Sequence, residues 1–482
     1  MLQFEKYTKE TLIKYRSMIK NCPYNVNDIS TGSFFMWNDG VDVQFAEENG
    51  MFFSRQDICG EPSFSYPFAN PSDFADENAY KAAENEALKE LLRYVEENNL
   101  PLKFYGVTED ILEKIKANPL FENIMFNYER KWSDYVYSAS EISTFKGKKF
   151  SGQRNHINKF KSLYGEPVFK PLTPEDVPAV REMLKKYAAE HPTEGYEEKE
   201  EFIHTVELLD SFFDLDLIGG ILLVNGEPAS VTMGEIQHKN LIIHVEKALK
   251  QYIGAYPTTF NCFVNYALSL FPELETANRE DDSDDMGLRT SKLQYNPIKL
   301  VNKYLVKVNS PLSALTETPV LTDGNVVLSE ITENDKTAYR ELCTDKENNK
   351  FWGYDYETDS SITGEITDDT FTDIVKFDRS IGEGISFAIR EKTVDNRLIG
   401  EVIVYNFTFN GFAEIGIRLE KASHGKGLGE AAYRLVSDWA QNVLKVKPRA
   451  KCYKENTPSK KTILACGYTQ TSEDDTFYYF NR

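Results

Sequence analysis

Residues Ser423–Leu435 read SHGKGLGEAAYRL. Gly425, Gly427 and Gly429 fall at alternate positions, and a helical pattern follows at once. Glycines at a helix entrance have two explanations, a sharp turn or a phosphate held against bare backbone N–H groups. The residues before the loop, AEIGIRLE (Ala413–Glu420), read as a strand, so the loop joins a strand to a helix beginning near Glu430. A helix N-terminus carries unsatisfied N–H groups and the positive end of the helix dipole. Glycines let an anion approach those groups closely, and Lys426 adds a positive charge. A glycine-rich turn without a ligand accounts for the glycines equally well. A dinucleotide site fits badly, because the spacing is not GxGxxG and the preceding strands read as a meander.

Working outward, strand NVVLSEI (325–331) leads into TENDKTAYRELC, with Thr332 as a helix N-cap. DDTFTDIVKFDRS (368–380) reads as helical. SFAIREK (386–392), RLIGEVIVYNFTF (397–409) and AEIGIRLE read as a three-strand meander. After the loop come helix GEAAYRLVSDWAQNVL, strand RAKCYKEN, helix PSKKTILACG and a terminal aromatic strand. This is a mixed α/β (α+β) domain. Upstream, NSPLSALTETPVLTDGN (309–325) loses apolar periodicity and reads as a linker.

Two further blocks precede it. The first has a helix over Lys9–Lys20, strands DVQFAE and MFFSRQ, a helix with apolar positions Ala87, Leu88, Leu91, Leu92 and Val95, and strand LKFYGV. The second has helix PEDVPAVREMLKKYAAE, a hairpin around Asn225-Gly226, strand NLIIHVEKAL and a helix near TTFNCFVNYALSLF. The element order repeats, although no residue-level repeat is evident. The expected boundaries are 1–138, 139–308, a linker at 309–318 and 319–482.

The chain has 482 residues, 41% of them hydrophobic and 13% aromatic, enough for several packed cores. Net charge is −21, with 21 Lys+Arg against 28 Asp+Glu in residues 311–482 and the larger acidic excess upstream. That excludes a general nucleic-acid binder, which needs a basic footprint. Cys22, Cys59, Cys262, Cys343, Cys452 and Cys466 form no CxxC pair and read as reduced core thiols. No metal site is expected. MLQFEKYTKE is not a signal peptide, and apolar runs are too short to span a bilayer, so the expected setting is cytoplasmic.

The third block resembles the GNAT N-acetyltransferases that acetylate ribosomal-protein N-termini. That family carries (Gln/Arg)-x-x-Gly-x-(Gly/Ala); this chain has His424, Gly425, Lys426, Gly427, Leu428 and Gly429, departing at His424. AEIGIRLE and NTPSKKTILACGY match in kind and order, and the resemblance covers about Pro319 to Arg482. It implies acetyl-CoA as donor, with its pyrophosphate on the amides of Gly425–Glu430. The backbone of Ile417–Leu419 would pair with the pantetheine arm, and Asn456 and Ser459 would lie near the far end of CoA and its thiol. Amine attack on a thioester needs proton removal, and Glu414 on the preceding strand is the candidate base; its plain alternative is a solvated carboxylate. Ser459 is the candidate acid for the departing thiolate, or simply a helix-start hydroxyl. NNKFWGYDYETD (348–359) borders the acceptor cleft of this fold. Trp352, Tyr354 and Tyr356 would form a wall, with Asp355 and Glu357 attracting a cationic amine, unless the segment is only a packed aromatic loop.

STFKGKKFSGQRNHINKFKSLYG (143–165) is unusually basic, with Lys146, Lys148, Lys149, Arg154, His156, Lys159 and Lys161 on one helix and its lead-in. It would grip phosphates or form a solvated, ion-paired face. With HVEKALKQYIGAYPTTFN (244–261) and NREDDSDDMGLRTSKLQYNPIKLVNKY (278–304), it resembles a bacterial domain family. That family is related to the C-terminal part of phosphatidylglycerol lysyltransferase and, more distantly, to Fem-type peptidyl transferases. The resemblance implies two tandem GNAT-like units and an aminoacyl-tRNA donor in relatives. Acidity argues against tRNA here. A site in this region would be lined by His244, Glu246, Lys247, Tyr256, Asn261, Asn278, Arg279 and Arg289, or these are buried hydrogen-bonded polar groups. The reading is three GNAT-like units, each a mixed, mainly antiparallel sheet flanked by helices. The last is an acetyl-CoA-dependent N-acetyltransferase; the alternatives are acyl or aminoacyl transfer by the first two, or their use as a binding module. The acceptor amine and the oligomeric state are open.

Overall fold

The computed structural model describes residues 2–58, 60–191, 196–357, 362, 365–392 and 396–482, with 196–199 described as backbone only. Cys59, and the last two residues of the 348–359 stretch, lie outside the described residues. The chain forms three mixed, mainly antiparallel sheets of seven, seven and eight strands, flanked by helices. It divides into two compact units. One comprises residues 1–91, 104–113 and 128–304; the other comprises 92–103, 114–127 and 305–482.

In the first unit, strands Glu5–Lys6, Gln44–Glu48, Met51–Ile58 and Glu61–Phe64 pair antiparallel in sequence order, and Phe64 pairs in parallel with Phe104. The second sheet runs Lys299–Val301, Asp134–Ser138, Thr276–Asn278, Asn240–Ala248, Glu227–Gln237, Ile218–Val224 and Val168–Pro171. Only Asn240–Ile242 with Thr276–Asn278 is parallel. The hairpin turn sits at Asn225 (φ 53°) and Gly226 (φ 85°), both left-handed, which matches the right-handed twist of its strands.

The third sheet lies wholly in the second unit. Its order is Leu321–Asp323, Val326–Ser329, Gly384–Glu391, Leu398–Tyr405, Phe412–Leu419, Lys447–Tyr453, Phe477–Asn481 and Thr469–Glu473. Helix Leu428–Asn442 buries Leu428, Ala432, Val436 and Ala440 on this sheet, the i, i+4 stripe of an amphipathic helix. Trp439 meets Phe387 edge-to-face, with centroids 5.2 Å apart.

The expected linker is more ordered than its composition suggests. Pro311–Ala314 forms a helical turn, and Leu321–Asp323 pairs with Val326–Leu328. Leu312 is fully buried in the core of the third sheet, and Arg379 donates to the carbonyl of Leu315 at 2.7 Å. One buried leucine pins this segment, a signal that carries no periodicity. The five described cysteines are free thiols, four of them buried.

Candidate active site

The site begins where the third sheet opens. Phe412–Leu419 pairs antiparallel with Leu398–Tyr405 from Glu414 to Leu419. On its other edge it pairs in parallel with Lys447–Tyr453 only from Phe412↔Lys447 to Glu414↔Arg449. Beyond Glu414 the strands part, and the edge of Ile415–Leu419 faces the gap. The Tyr433 hydroxyl, from the helix beneath, donates to the Ile415 carbonyl at 3.0 Å.

That helix opens at the glycine loop, where the three glycines serve two purposes. Gly425 (φ 74°) and Gly427 (φ 76°) are left-handed, and among the described residues nothing lies within 4 Å of where a Cβ would stand on either. Gly429 is instead a packing glycine, because a Cβ there would lie 2.8 Å from Leu419 Cδ1. The Ala431 amide is bonded to the Gly427 carbonyl at 3.1 Å, so the amides before it point out of the helix end. The loop is therefore both a sharp turn and an open concavity lined by N–H groups, the arrangement that receives anions. Lys426 is exposed beside it. The His424 ring bonds through Nε2 to the Leu419 carbonyl at 3.1 Å, which fixes the imidazole on the end of the strand.

Glu414 sits where the strands begin to part, with its side chain 13% exposed. Arg449 Nη2 lies 3.4 Å from Oε1 and Lys451 Nζ 3.7 Å from Oε2, and Oε2 is buried without a hydrogen bond among the described residues. Tyr405 faces it across the ladder. Burial first, and then the Glu414 charge, push the Tyr405 phenol well above its ordinary range. Trp352 crosses the same face. A Cβ on Gly416 would lie 3.5 Å from Trp352 Cη2, and the Arg418 guanidinium stands 4.4 Å from the indole centroid. Glu414, Gly416 and Arg418 share this face by the two-residue strand period.

Arg418 fixes the Trp352 segment, a role the sequence did not reveal. Its Nε donates to Glu401 at 2.9 Å, Nη1 to Asn349 at 2.7 Å and Nη2 to the Cys343 sulfur at 3.0 Å. Tyr339 donates to the other Glu401 oxygen at 2.9 Å. Burial disfavours the guanidinium charge, but Glu401 outweighs it. Tyr354 is exposed, and Asp355 accepts from the Glu357 amide at 3.0 Å. Tyr356 turns from the strand to pack on Phe371, and Glu357 pairs with Lys346. On the far side of the gap, the Asn456 side chain caps helix Thr457–Ala465 by accepting from the Ser459 amide at 3.2 Å. Tyr468 is core, bonded to Ser437 at 2.8 Å.

The residues expected to line an N-terminal site fall into separate groups. His244 is buried between two carboxylates, Nε2 2.9 Å from Glu235 and Nδ1 2.8 Å from Glu280. Burial would depress the imidazole, but hydrogen bonds to Glu235 and Glu280 raise it to about 9. The Gly32 amide donates to Glu235 at 2.8 Å, and a Cβ on Gly32 would collide with the imidazole. Glu246 pairs with Arg279 at 3.0 Å, and Arg279 lies against Phe260, Tyr295 and Tyr137. Both Glu246 oxygens are buried, with Arg279 as the cation against them. Arg289 grips Asp282 through Nε and Nη2 at 3.0 and 2.7 Å. Asn261 donates to the Ile142 and Ser143 carbonyls, and Asn278 to Asp134 at 2.9 Å. Lys247 pairs with Glu201 at 2.5 Å, and the exposed Tyr256 is pushed up by burial of its hydroxyl region and then by Tyr187.

Sequence reading missed the other members of this network. Lys303 is buried among Asp28, Asp134 and Asp281 at 2.7, 2.9 and 3.2 Å. Lys292 donates to the Arg279 carbonyl at 2.6 Å and also to that of Asp281; burial pulls its ammonium down to about 8. Here too a helix, Ala255–Leu270, follows a strand that parts from its parallel neighbour. Its Gly254 entrance is filled, because a Cβ there would lie 2.3 Å from the His156 carbonyl oxygen. On the basic helix Ser151–Tyr164 and its lead-in, Lys149 pairs with Glu141 and Lys161 with Glu166, both at 2.8 Å, and Arg154 donates to the Gly147 carbonyl at 2.6 Å.

A sheet that opens at one parallel pair, above a helix entered through glycines, defines an acyltransferase of the GNAT class. Residues 325–469 match the acetyltransferase (GNAT) domain family. Residues 23–307 match the family described as phosphatidylglycerol lysyltransferase, C-terminal, and the chain belongs to that family. No curated protein sequence matches. Among solved structures, a conserved protein of unknown function from Bacteroides thetaiotaomicron is 25% identical, with TM-score 0.55, over 64% of this chain and 100% of its own. L-PGS from Bacillus licheniformis is 13% identical, with TM-score 0.42, over 62% and 90%. Mycobacterium smegmatis RimJ in complex with CoA-disulfide is 18% identical, with TM-score 0.29, over 34% and 86%. No helix among the described residues is long and apolar enough to cross a membrane.

Proposed function

We propose that the domain over 319–482 transfers an acetyl group from acetyl-CoA to an amine, either a small molecule or a peptide N-terminus. The observation that carries this reading is the open, left-handed pair Gly425 and Gly427 at the helix mouth beside the parted strands. In this reading the pyrophosphate takes the loop amides, the pantetheine arm pairs with Ile417–Leu419, and the thioester lies in the gap near Glu414. Glu414 accepts the amine proton directly or through one water, and Trp352, Tyr354 and Asp355 border the acceptor. Asn456 supports the helix on the far side, and Ser459 protonates the leaving thiolate. RimJ, a relative in fold crystallised with a CoA derivative, gives the donor class its precedent. The test is a transfer assay with acetyl-CoA against a panel of polyamines and N-terminal peptides. Thiol release with at least one amine supports the reading; none with any amine, by a protein that binds CoA, opposes it.

A second reading keeps aminoacyl transfer in the N-terminal region, on the strength of the family match and of the buried Glu246–Arg279 pair. The filled entrance at Gly254 leaves helix Ala255–Leu270 without an open glycine loop like 425–430 for a pyrophosphate. A donor there would have to be held otherwise, and tRNA is not favoured by the chain's net charge of −21.

A further inference from the structure

Also in the first unit, three metal-ligating side chains that neither reading uses converge. Asp39 follows helix Thr31–Met36, and Glu200 and His204 stand one turn apart on helix Tyr196–Ser211. One ligand atom from each lies within 4.8 Å of the others. The His204 side chain is only 7% exposed, and its two nitrogens face different neighbours. Nδ1 is 3.2 Å from Glu207 Oε2, while Nε2 is 3.6 Å from Glu200 Oε2 and makes no hydrogen bond among the described residues. Trp37 packs edge-on against the ring at 5.5 Å, which holds the imidazole in place.

A carboxylate that accepts from Nδ1–H selects the tautomer with its lone pair on Nε2, the arrangement that supports metal-bound histidines. Nε2 stands 3.6 Å from Glu200, Asp39 lies in the same cluster, and no Lys or Arg pairs with either carboxylate among the described residues. A tetrahedral ion with bonds of about 2.0–2.2 Å spaces its ligand atoms by about 3.3–3.6 Å, and the Nε2–Oε2 separation already fits. One imidazole and two carboxylates suit a borderline divalent ion better than the hard, all-oxygen ions. We propose that Asp39, Glu200 and His204 form a three-ligand site for a divalent transition metal, Zn²⁺ being the probe of choice. The ion would tie the end of helix Thr31–Met36 to helix Tyr196–Ser211, with a fourth position left to solvent. The spacing in sequence hid this site, because Asp39 is far from the Glu200/His204 pair.

The test uses the full chain. After dialysis against micromolar Zn²⁺, elemental analysis should find one zinc per chain in the wild type and none in His204→Gln. Because His204 is buried, Asp39→Asn at an exposed position serves as the second variant and should bind zinc at least ten-fold more weakly. The thermal midpoint should rise with Zn²⁺ in the wild type and stay fixed in His204→Gln. No zinc in the wild type, or uptake by either variant equal to the wild type, overturns the proposal.

Discussion

At the residue scale, Glu414 and His244 were both legible as polar residues on apolar strands, yet their surroundings separate them. Glu414 lies 3.4 and 3.7 Å from Arg449 and Lys451, and its buried Oε2 makes no hydrogen bond among the described residues. Acceptor amines are mostly protonated near neutrality, so a base within reach has work to do there. Glu414→Gln should keep CoA affinity, lower kcat by about 10²-fold near pH 7, and recover partly as pH rises and free amine accumulates. A pH–rate profile of both forms from pH 6 to 9 checks this; an unchanged kcat marks Glu414 as an ordinary strand carboxylate. His244, by contrast, is saturated by Glu235 and Glu280. Its folded pKa of about 9 lies above an ordinary value near 6.5, so its stabilisation is full below about pH 6.5 and disappears as pH rises through 9. His244→Gln strands two carboxylates and should destabilise by about 3–5 kcal/mol at pH 6, with the gap to wild type narrowing by pH 9. Denaturant unfolding at the two pH values measures it. A gap that does not change with pH would mean that folding leaves the His244 pKa at its unfolded value.

At the scale of elements, the helix that begins at Leu428 was readable because its signals are local: three glycines, a cationic neighbour and an apolar stripe. What the spacing left open was which glycine does what. Gly429 is required by the Leu419 side chain, a neighbour across the fold that no local pattern reveals. The Arg418–Glu401–Asn349–Cys343 network was invisible for the same reason, since its members come from four segments and share no period. Gly429→Val should therefore destabilise the second unit by about 1–3 kcal/mol through overpacking, and a drop in thermal midpoint with CoA bound or absent checks it. On the basic helix and its lead-in, Lys149 and Lys161 are already paired with Glu141 and Glu166, so part of the charge run is a solvated, paired face. Charge reversal at Lys149, Arg154 and Lys159 should abolish any low-salt retention of tRNA or phospho-ligands. Equal retention by the variant would place that binding elsewhere.

At the scale of the whole molecule, the repeated element order foretold the three mixed sheets, because strand and helix periods survive divergence better than motifs do. Less readable was the content of the first unit, where buried aspartates, lysines and arginines pair over long separations around Lys303 and Arg279. The proposed acyl-CoA site is the helix mouth at Gly425–Glu430, where Gly425 and Gly427 leave open space. Calorimetric titration of CoA into wild type and Gly427→Val tests it most directly. A branched residue at φ 76° costs about 1–2 kcal/mol of stability and fills the concavity, so circular dichroism must first show that the variant is folded. The expected result is one CoA per wild-type chain and at least a hundred-fold loss in the folded variant. Equal affinity in the two proteins would contradict it.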